Sequence, residues 1–498
     1  MKWLLGLVSR ESLRRRVRFA RYRSFRVDAS WYCFWVNTDG APFLSPPEVF
    51  GARRSRLIEA LSASGGLRAI LSAGWPRTRN FGHNLFPFRA ESHFLYLVGR
   101  HIEGALLTIV DGRACLYAPE PDPEMELWAG PQRTLASYED ELGLEVRPIS
   151  ELPSGPFCTL PPQDEETALW LGELIERELE PQSGGQLTGD DATLADAMVG
   201  LRLVHDEAGI QQLRYAAMVS SEAHLAGMRT TRGASREAQI RGRMEGKIGE
   251  FGLAPAYTSI VTTQGQILHA AESLGTLAPG QMLLCDVGAE TREGFAGDIT
   301  RTWPVAGAFS STQDDLYSLV LFIQKEAIER VRAGVNFLDI HRATVRRLGE
   351  GLAQLGILKG ALDELYDSGA ISVFFPHGLG HLLGVDVHDM EDLGDRAGYG
   401  PQERSTHPAE IPLRMNRDLA ANMVVTIEPG FYQVPLLLKR ARANRRVNQL
   451  IQWDRLAQFS DVSGIRIEDD VRVTEGAPEV LSRDCPKEKA ALQECLEA

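Results

Sequence analysis

Residues 282–302 read Met282-Leu283-Leu284-Cys285-Asp286-Val287-Gly288-Ala289-Glu290-Thr291-Arg292-Glu293-Gly294-Phe295-Ala296-Gly297-Asp298-Ile299-Thr300-Arg301-Thr302. The first seven residues form an apolar strand interrupted by an aspartate, which is costly unless the acid is paired or bound to a metal. Asp298 follows twelve residues later, and Thr291-Arg292-Glu293-Gly294 between them has the chemistry of a turn. The spacing predicts a hairpin that brings Asp286 and Asp298 together. Two like charges side by side are unfavourable without a cation.

Three more segments repeat the theme downstream. His377-Gly378-Leu379-Gly380-His381-Leu382-Leu383-Gly384 leads into Val387-His388-Asp389, so three of the chain's eleven histidines fall within twelve residues. Val424-Val425-Thr426-Ile427 ends on Glu428. In Gly464-Ile465-Arg466-Ile467-Glu468-Asp469-Asp470-Val471, strand alternation puts Ile465, Ile467 and Val471 on one face and Arg466, Glu468 and Asp470 on the other. Asp469 and Asp470 are read as a solvated or structural pair. Any one of these acids could simply pair with an arginine. Together, four carboxylates and an imidazole suit two hard or borderline divalent ions such as Mn²⁺, Co²⁺ or Zn²⁺, which can activate a water near neutral pH. Other motifs fail: Gly246-Lys247 is followed by Ile248 and so lacks the Ser/Thr of a phosphate loop, and there is no H-E-x-x-H.

The rest of the chain is ordinary for a large globular protein. It has 498 residues, 44% hydrophobic and 24% charged, with a net charge of −14, so a core is available and a general nucleic-acid binder is disfavoured. Residues 1–40 hold nine basic and three acidic residues and read as a basic extension, disordered or not native. Trp3–Val8 is too short for a signal-peptide core, and no run reaches the ~20 apolar residues of a membrane span. Six scattered cysteines without a C-x-x-C pair fit reduced thiols in the cytoplasm. A helix is expected over 47–63. Strands are expected at Ala69–Ser72, Phe94–Val98, Ala105–Val110 and Ala114–Tyr117, and a helix from an Asp206 cap. A later helix carries Leu316, Leu319, Val320, Ile323, Ala327 and Val331 on one face. The boundary is drawn near residue 200, giving an amino-terminal α/β domain over 41–200 and a second domain over 201–498.

The motifs D-x-G-A-E, G-D-I-T-R-T, H-G-L-G-H-x-x-G-x-x-V-H-D, T-I-E-P-G and G-I-R-I-E-D-D occur in the order found in the aminopeptidase P and prolidase family, which the chain resembles over roughly 45–485. The resemblance implies an α/β (α+β) architecture, a pita-bread catalytic domain preceded by a smaller creatinase-like domain. It implies two divalent ions, manganese foremost. Asp286 would hold one and His381 the other, Asp298 and Glu468 would bridge both, and Glu428 would bind the His381 metal and shuttle a proton. His269 and His388 would steady the tetrahedral intermediate, His377 matches the outer histidine of the H-x-x-x-H pair, and Arg466 would orient the ligating carboxylates. Where the family has an aromatic residue and an asparagine after His269, this chain has Ala270 and Ser273.

Phe86–Leu97 is similar to the family's arginine–serine–aromatic signature, and Asp122–Gly130 to a segment whose tryptophan, here Trp128, walls a substrate site that is often a neighbour's. The implied substrates are proline-containing peptides, handled by a homodimer or homotetramer in the cytoplasm, with no nucleic acid or membrane partner. Two activities stay open. The amino-terminal signature favours an Xaa-Pro aminopeptidase. A prolidase-like insertion with Lys439, Arg440, Arg442, Arg445 and Arg446, and Arg414 at the position that binds a dipeptide's carboxylate, fit an Xaa-Pro dipeptidase. A metal-free binding protein on the same fold is disfavoured because all five ligand positions are filled. Methionine aminopeptidase shares the catalytic fold but does not account for a leading domain of this size.

Overall fold

The computed structural model describes residues 43–498; the arginines of the basic extension lie outside them. Residues Leu44–Ala498 form one compact unit.

The chain enters helix α1 (Pro47–Ala63), started by a proline in its first turn and buried along Phe50, Leu57 and Leu61. A four-stranded sheet follows in the order β1 (Ala69–Ser72), β2 (Leu106–Val110), β3 (Arg113–Ala118) and β4 (Val146–Pro148). The first two pairings are antiparallel and β3–β4 is parallel. Alternate residues serve two cores: Ala69, Leu71, Leu107 and Leu116 pack into the large one, Ile70, Leu106, Cys115 and Tyr117 into a smaller one.

The expected strand at Phe94–Val98 is instead helix α2 (Ser92–Val98), with every residue buried. A short run buried on all sides carries no period to tell strand from helix. Its stop is legible: Gly99 takes φ 74° and returns its N–H to the Leu95 carbonyl.

Helix α3 (Gly189–Arg202) leads to α4 (Glu207–Thr231), where the Asp206 carboxylate caps by accepting from the Gly209 N–H at 2.7 Å. Helix α5 (Glu237–Glu250) packs along α4. Strands β5 (Ile260–Thr262), β6 (Met282–Asp286) and β7 (Thr300–Pro304) form one antiparallel sheet, with Asp286 opposite both Ile260 and Thr300. Helix α6 (Ser311–Arg330) stops one residue short of Val331, which is nonetheless buried, and pairs with α7 (Phe337–Gln354).

The last strands are β8 (Val424–Ile427), β9 (Gly430–Tyr432), β10 (Gly464–Arg466), β11 (Asp469–Arg472) and β12 (Glu479–Val480). The single strand expected over 464–471 is broken at Ile467–Glu468. There the chain leaves β9, its partner up to Arg466, and joins β8 from Asp469 onward. Asp469 and Asp470 are both fully buried, so they are structural and not solvated.

The large core contains residues of both halves, from Leu57 to Leu481. Among the described residues no helix is long and apolar enough to cross a membrane.

Candidate metal centre

The β6–β7 hairpin does bring its two aspartates together. The Tyr257 hydroxyl lies 2.6 Å from one carboxylate oxygen of each, and its single proton can serve only one at a time. Glycine is required here, since a Cβ on Gly288 would stand 1.7 Å from the Gly297 carbonyl oxygen. Asp298 is fixed through its backbone, its N–H donating to the buried Asp470 carboxylate at 3.1 Å.

Glu468 reaches the same place from the strand break. Its N–H donates to the Thr300 carbonyl, and its carboxylate accepts from the Thr300 hydroxyl at 2.6 Å. That hydroxyl accepts in turn from Arg466 Nε at 3.0 Å, while another Arg466 nitrogen pairs with Asp286. His381 Nε2 faces Asp298 at 3.4 Å and Glu428 at 3.7 Å. Ligand atoms of Asp298, His381 and Glu468 all lie within 4.8 Å of one another.

The donor chemistry fits metal ions. His381 Nδ1 lies 3.0 Å from the Leu382 carbonyl. A carbonyl can only accept, so Nδ1 keeps its proton and Nε2 is left to offer a lone pair to the cluster. Four carboxylates here meet Arg466 as the permanent cation. Burial drives Glu468 well above the ordinary carboxylate range, and Asp298, Glu428 and Asp286 push it the same way. Burial likewise lifts Glu428 to about 7, against the pull of His381 and Arg466. His381 responds as the cluster's stand-in cation: burial opposes its charge, but Asp298 and Glu428 outweigh it and raise the ring to about 9. Asp286, Asp298, His381, Glu428 and Glu468 would hold the ions.

The other candidate residues surround this cluster unequally. His377 lies half-buried beside it, with Nε2 2.8 Å from the Tyr432 hydroxyl and Nδ1 3.6 Å from Glu428. Burial, reinforced by Arg466, holds its ring neutral down to about 3. His269 and His388 line one cavity of about 250 Å³ with Asp286, Asp298 and Tyr257, and the His388 ring sits 4.0 Å from that of His381. Arg414 pairs with Glu391 at 2.6 Å and lines, with His381, a second cavity of about 370 Å³. Trp128 is not brought to the cluster within one chain: it is 80% exposed on a one-turn helix and lines neither cavity. Tyr257, Thr300 and Tyr432 were not singled out from sequence as part of the site. A hydroxyl in a strand or loop carries no spacing signal, and only the folded partners identify it.

The sequence pattern of metallopeptidase family M24 matches residues 211–475, and that of the aminopeptidase P N-terminal domain matches residues 50–155. A probable Xaa-Pro aminopeptidase of Aspergillus niger is 33% identical over 419 residues, covering 80% of this chain and 82% of the relative. One from Aspergillus fumigatus is 32% identical, covering 87% and 91%. Among solved structures, Escherichia coli aminopeptidase P with the inhibitor Pro-Leu matches with TM-score 0.74 and 26% identity over 91% of this chain and 99% of that one. Pseudomonas aeruginosa aminopeptidase PepP matches with TM-score 0.74 and 28% identity over 91% and 98%. With its acids gathered on a pita-bread scaffold behind an aminopeptidase P amino-terminal domain, the chain belongs to metallopeptidase family M24.

Proposed function

We propose that this protein is an Xaa-Pro aminopeptidase that removes the first residue from peptides with proline in second place. The observation that carries the reading is the buried acid cluster, which lacks enough cation of its own, in a chain similar over most of its length to Xaa-Pro aminopeptidases. Two divalent ions, manganese in this reading, would supply Lewis-acid activation of water and of the scissile carbonyl.

The chain's own residues account for the remaining chemistry. An Xaa-Pro bond has no N–H to grip and is restricted on both sides, so recognition falls on the carbonyl and the free amine. His269 and His388 face the reacting carbonyl from one cavity and stabilise charge developing on its oxygen. Glu428 takes the proton of the attacking water and returns it to the leaving proline nitrogen. His377, kept neutral and tied to Tyr432, borders Glu428 and steadies it. Arg466 holds Asp286 directly and Glu468 through Thr300. On this reading residues 201–498 perform the chemistry and residues 41–200 support it. The exposed Leu127-Trp128 pair supports a homo-oligomer in which Trp128 walls a neighbour's site. The five unpaired cysteines among the described residues fit the cytoplasm.

A dipeptidase is the second reading, favoured by Arg414 in the same cavity as His381. Metal-stripped protein reloaded with Mn²⁺ should release the first residue from Xaa-Pro-Yaa tripeptides. Cleavage of Xaa-Pro dipeptides alone would decide for the dipeptidase.

A further inference from the structure

The segment Leu382–Asp392, which carries His388, has little regular structure of its own. Met390 sits in the left-handed region at φ 60° with its side chain buried, a conformation that persists only when its surroundings impose it. Part of those surroundings comes from residues 89–202, alongside contacts from the carboxy-terminal half such as the Leu383 N–H to the Val424 carbonyl at 3.0 Å and Arg414 to Glu391 at 2.6 Å. Arg202 on α3, 1% exposed, donates from Nη2 to Asp386 at 2.9 Å and to Asp389 at 2.7 Å. Its Nη1 lies 2.9 Å from His93 Nδ1. Arginine can only donate, so Nδ1 accepts and His93 Nε2 carries the proton given to Asp392 at 2.9 Å. Arg89 Nη2 donates to the Val385 carbonyl at 2.7 Å, and the Ser92 hydroxyl donates to Asp386. Asp389 closes the loop on itself by accepting from the Asp386 N–H at 3.1 Å. His388 stands between this network and the cluster, lining both the catalytic cavity and a polar cavity of about 350 Å³ formed with Arg89, Ser92 and His93.

We propose that Arg202 is a positioning residue for the reaction: by bridging His93, Asp386 and Asp389 it sets the place of His388, so the amino-terminal half of the chain tunes the chemistry of the carboxy-terminal half. The inference rests on the reading of His388 as a residue that faces the substrate carbonyl. A fork of donors is needed to span three acceptors, and a lysine cannot reproduce it. Groups that orient catalytic residues typically change activity by about 10–100-fold.

The test is a double-mutant cycle with the full-length, manganese-loaded protein and an Xaa-Pro-Yaa tripeptide. Arg202→Lys should lower kcat at least about ten-fold with KM within two-fold and bound manganese unchanged. In a His388→Ala background the same change should cost less than two-fold. Should Arg202→Lys fail to fold, Ser92→Ala, which removes one bond to Asp386, should show the same non-additivity with a smaller loss. A lowered kcat in His388→Ala together with fully additive losses overturns the proposal alone. Full activity of His388→Ala overturns the role of His388, and the proposal with it.

Discussion

Glu468 and Asp469 are neighbours in the chain, both fully buried, and they face opposite electrostatic fates. Asp469 accepts from Arg301 Nη2 at 2.7 Å, from the Ser482 hydroxyl at 2.7 Å and from Gln324 Nε2 at 2.7 Å, and it pairs with Lys487. Burial would raise its pKa, but Arg301 and Lys487 hold it below the ordinary carboxylate range. Glu468 is pushed the other way, by burial first and then by the three acids around it. The peptide between them is where the chain changes sheets, so one side chain faces each cluster. Two equally dry regions thus differ in one respect: the Asp469 cluster is neutralised by the chain's own cations, and the Glu468 cluster is completed only from outside. A buried acid by itself does not mark a site; a cluster of buried acids that shares too few cations does.

The largest effect that could break this contrast is on activity. Asp298→Ala should bring hydrolysis to background, since removing ion-based stabilisation costs several kcal/mol per ion. Bound metal, measured by elemental analysis, should disappear with it. Stripped of metal, the variant should melt no lower than stripped wild type, because the change removes a charge from a cluster that has too many. Full activity would refute the bridging role of Asp298. Asp469→Asn should do the reverse: it leaves Arg301 and Lys487 facing a neutral group and should cost about 3–5 kcal/mol in denaturant unfolding, with or without metal. If Asp469→Asn and Glu468→Gln destabilise stripped protein equally, the distinction between the two clusters fails.

The same contrast shows what was legible beforehand. Asp286 and Asp298 stood out because an acid inside an apolar run has few explanations, and the turn between them made their meeting a matter of hairpin geometry. Glu428 and Glu468 followed the same logic, and the family motifs supplied their roles. The neutralised cluster was not legible. Asp469 looks in sequence like Asp470, and its partners come from a strand (Arg301), a helix (Gln324) and the loop after the last strand (Ser482 and Lys487). Tyr257 was hidden for the same reason. The helix at Ser92–Val98 escaped because burial on all sides erases periodicity. The loss mattered, since Ser92 and His93 from that helix reach the His388 segment. Patterns within one element survive in sequence, whereas contacts among elements do not.

Metal linkage sharpens the comparison next. Ions that bind only the folded state should raise wild-type stability by about 2.7 kcal/mol at a free concentration one hundred times Kd. Mn²⁺ titrated into stripped protein should therefore raise the unfolding midpoint of wild type and of any variant confined to the Asp469 cluster. Asp298→Ala should not respond. A midpoint that rises equally in Asp298→Ala would mean that the ions act elsewhere on the surface.

The smallest effect extends the contrast to a third acid. Glu410 is buried, and its carboxylate accepts from Arg342 at 2.7 and 3.2 Å and from the Tyr366 hydroxyl at 2.7 Å. Burial works against its charge, but Arg342 and Tyr366 prevail and bring the group down to about 2. It resembles Asp469 in carrying its own cation, but that cation is half in solvent, with Arg342 46% exposed. A folded pKa below the unfolded value of about 4.3 stabilises the protein above pH ~4 and loses that contribution as pH falls through about 2. Solvent screening of Arg342 limits the gain to about 1 kcal/mol. Glu410→Gln should therefore flatten the acid limb of the stability profile by about that much while leaving bound metal and kcat unchanged at neutral pH. An acid limb identical to wild type would show that a half-exposed cation neutralises a buried acid too weakly to register. In that case full enclosure, as around Asp469, is what distinguishes a finished acid cluster from one left open to a metal.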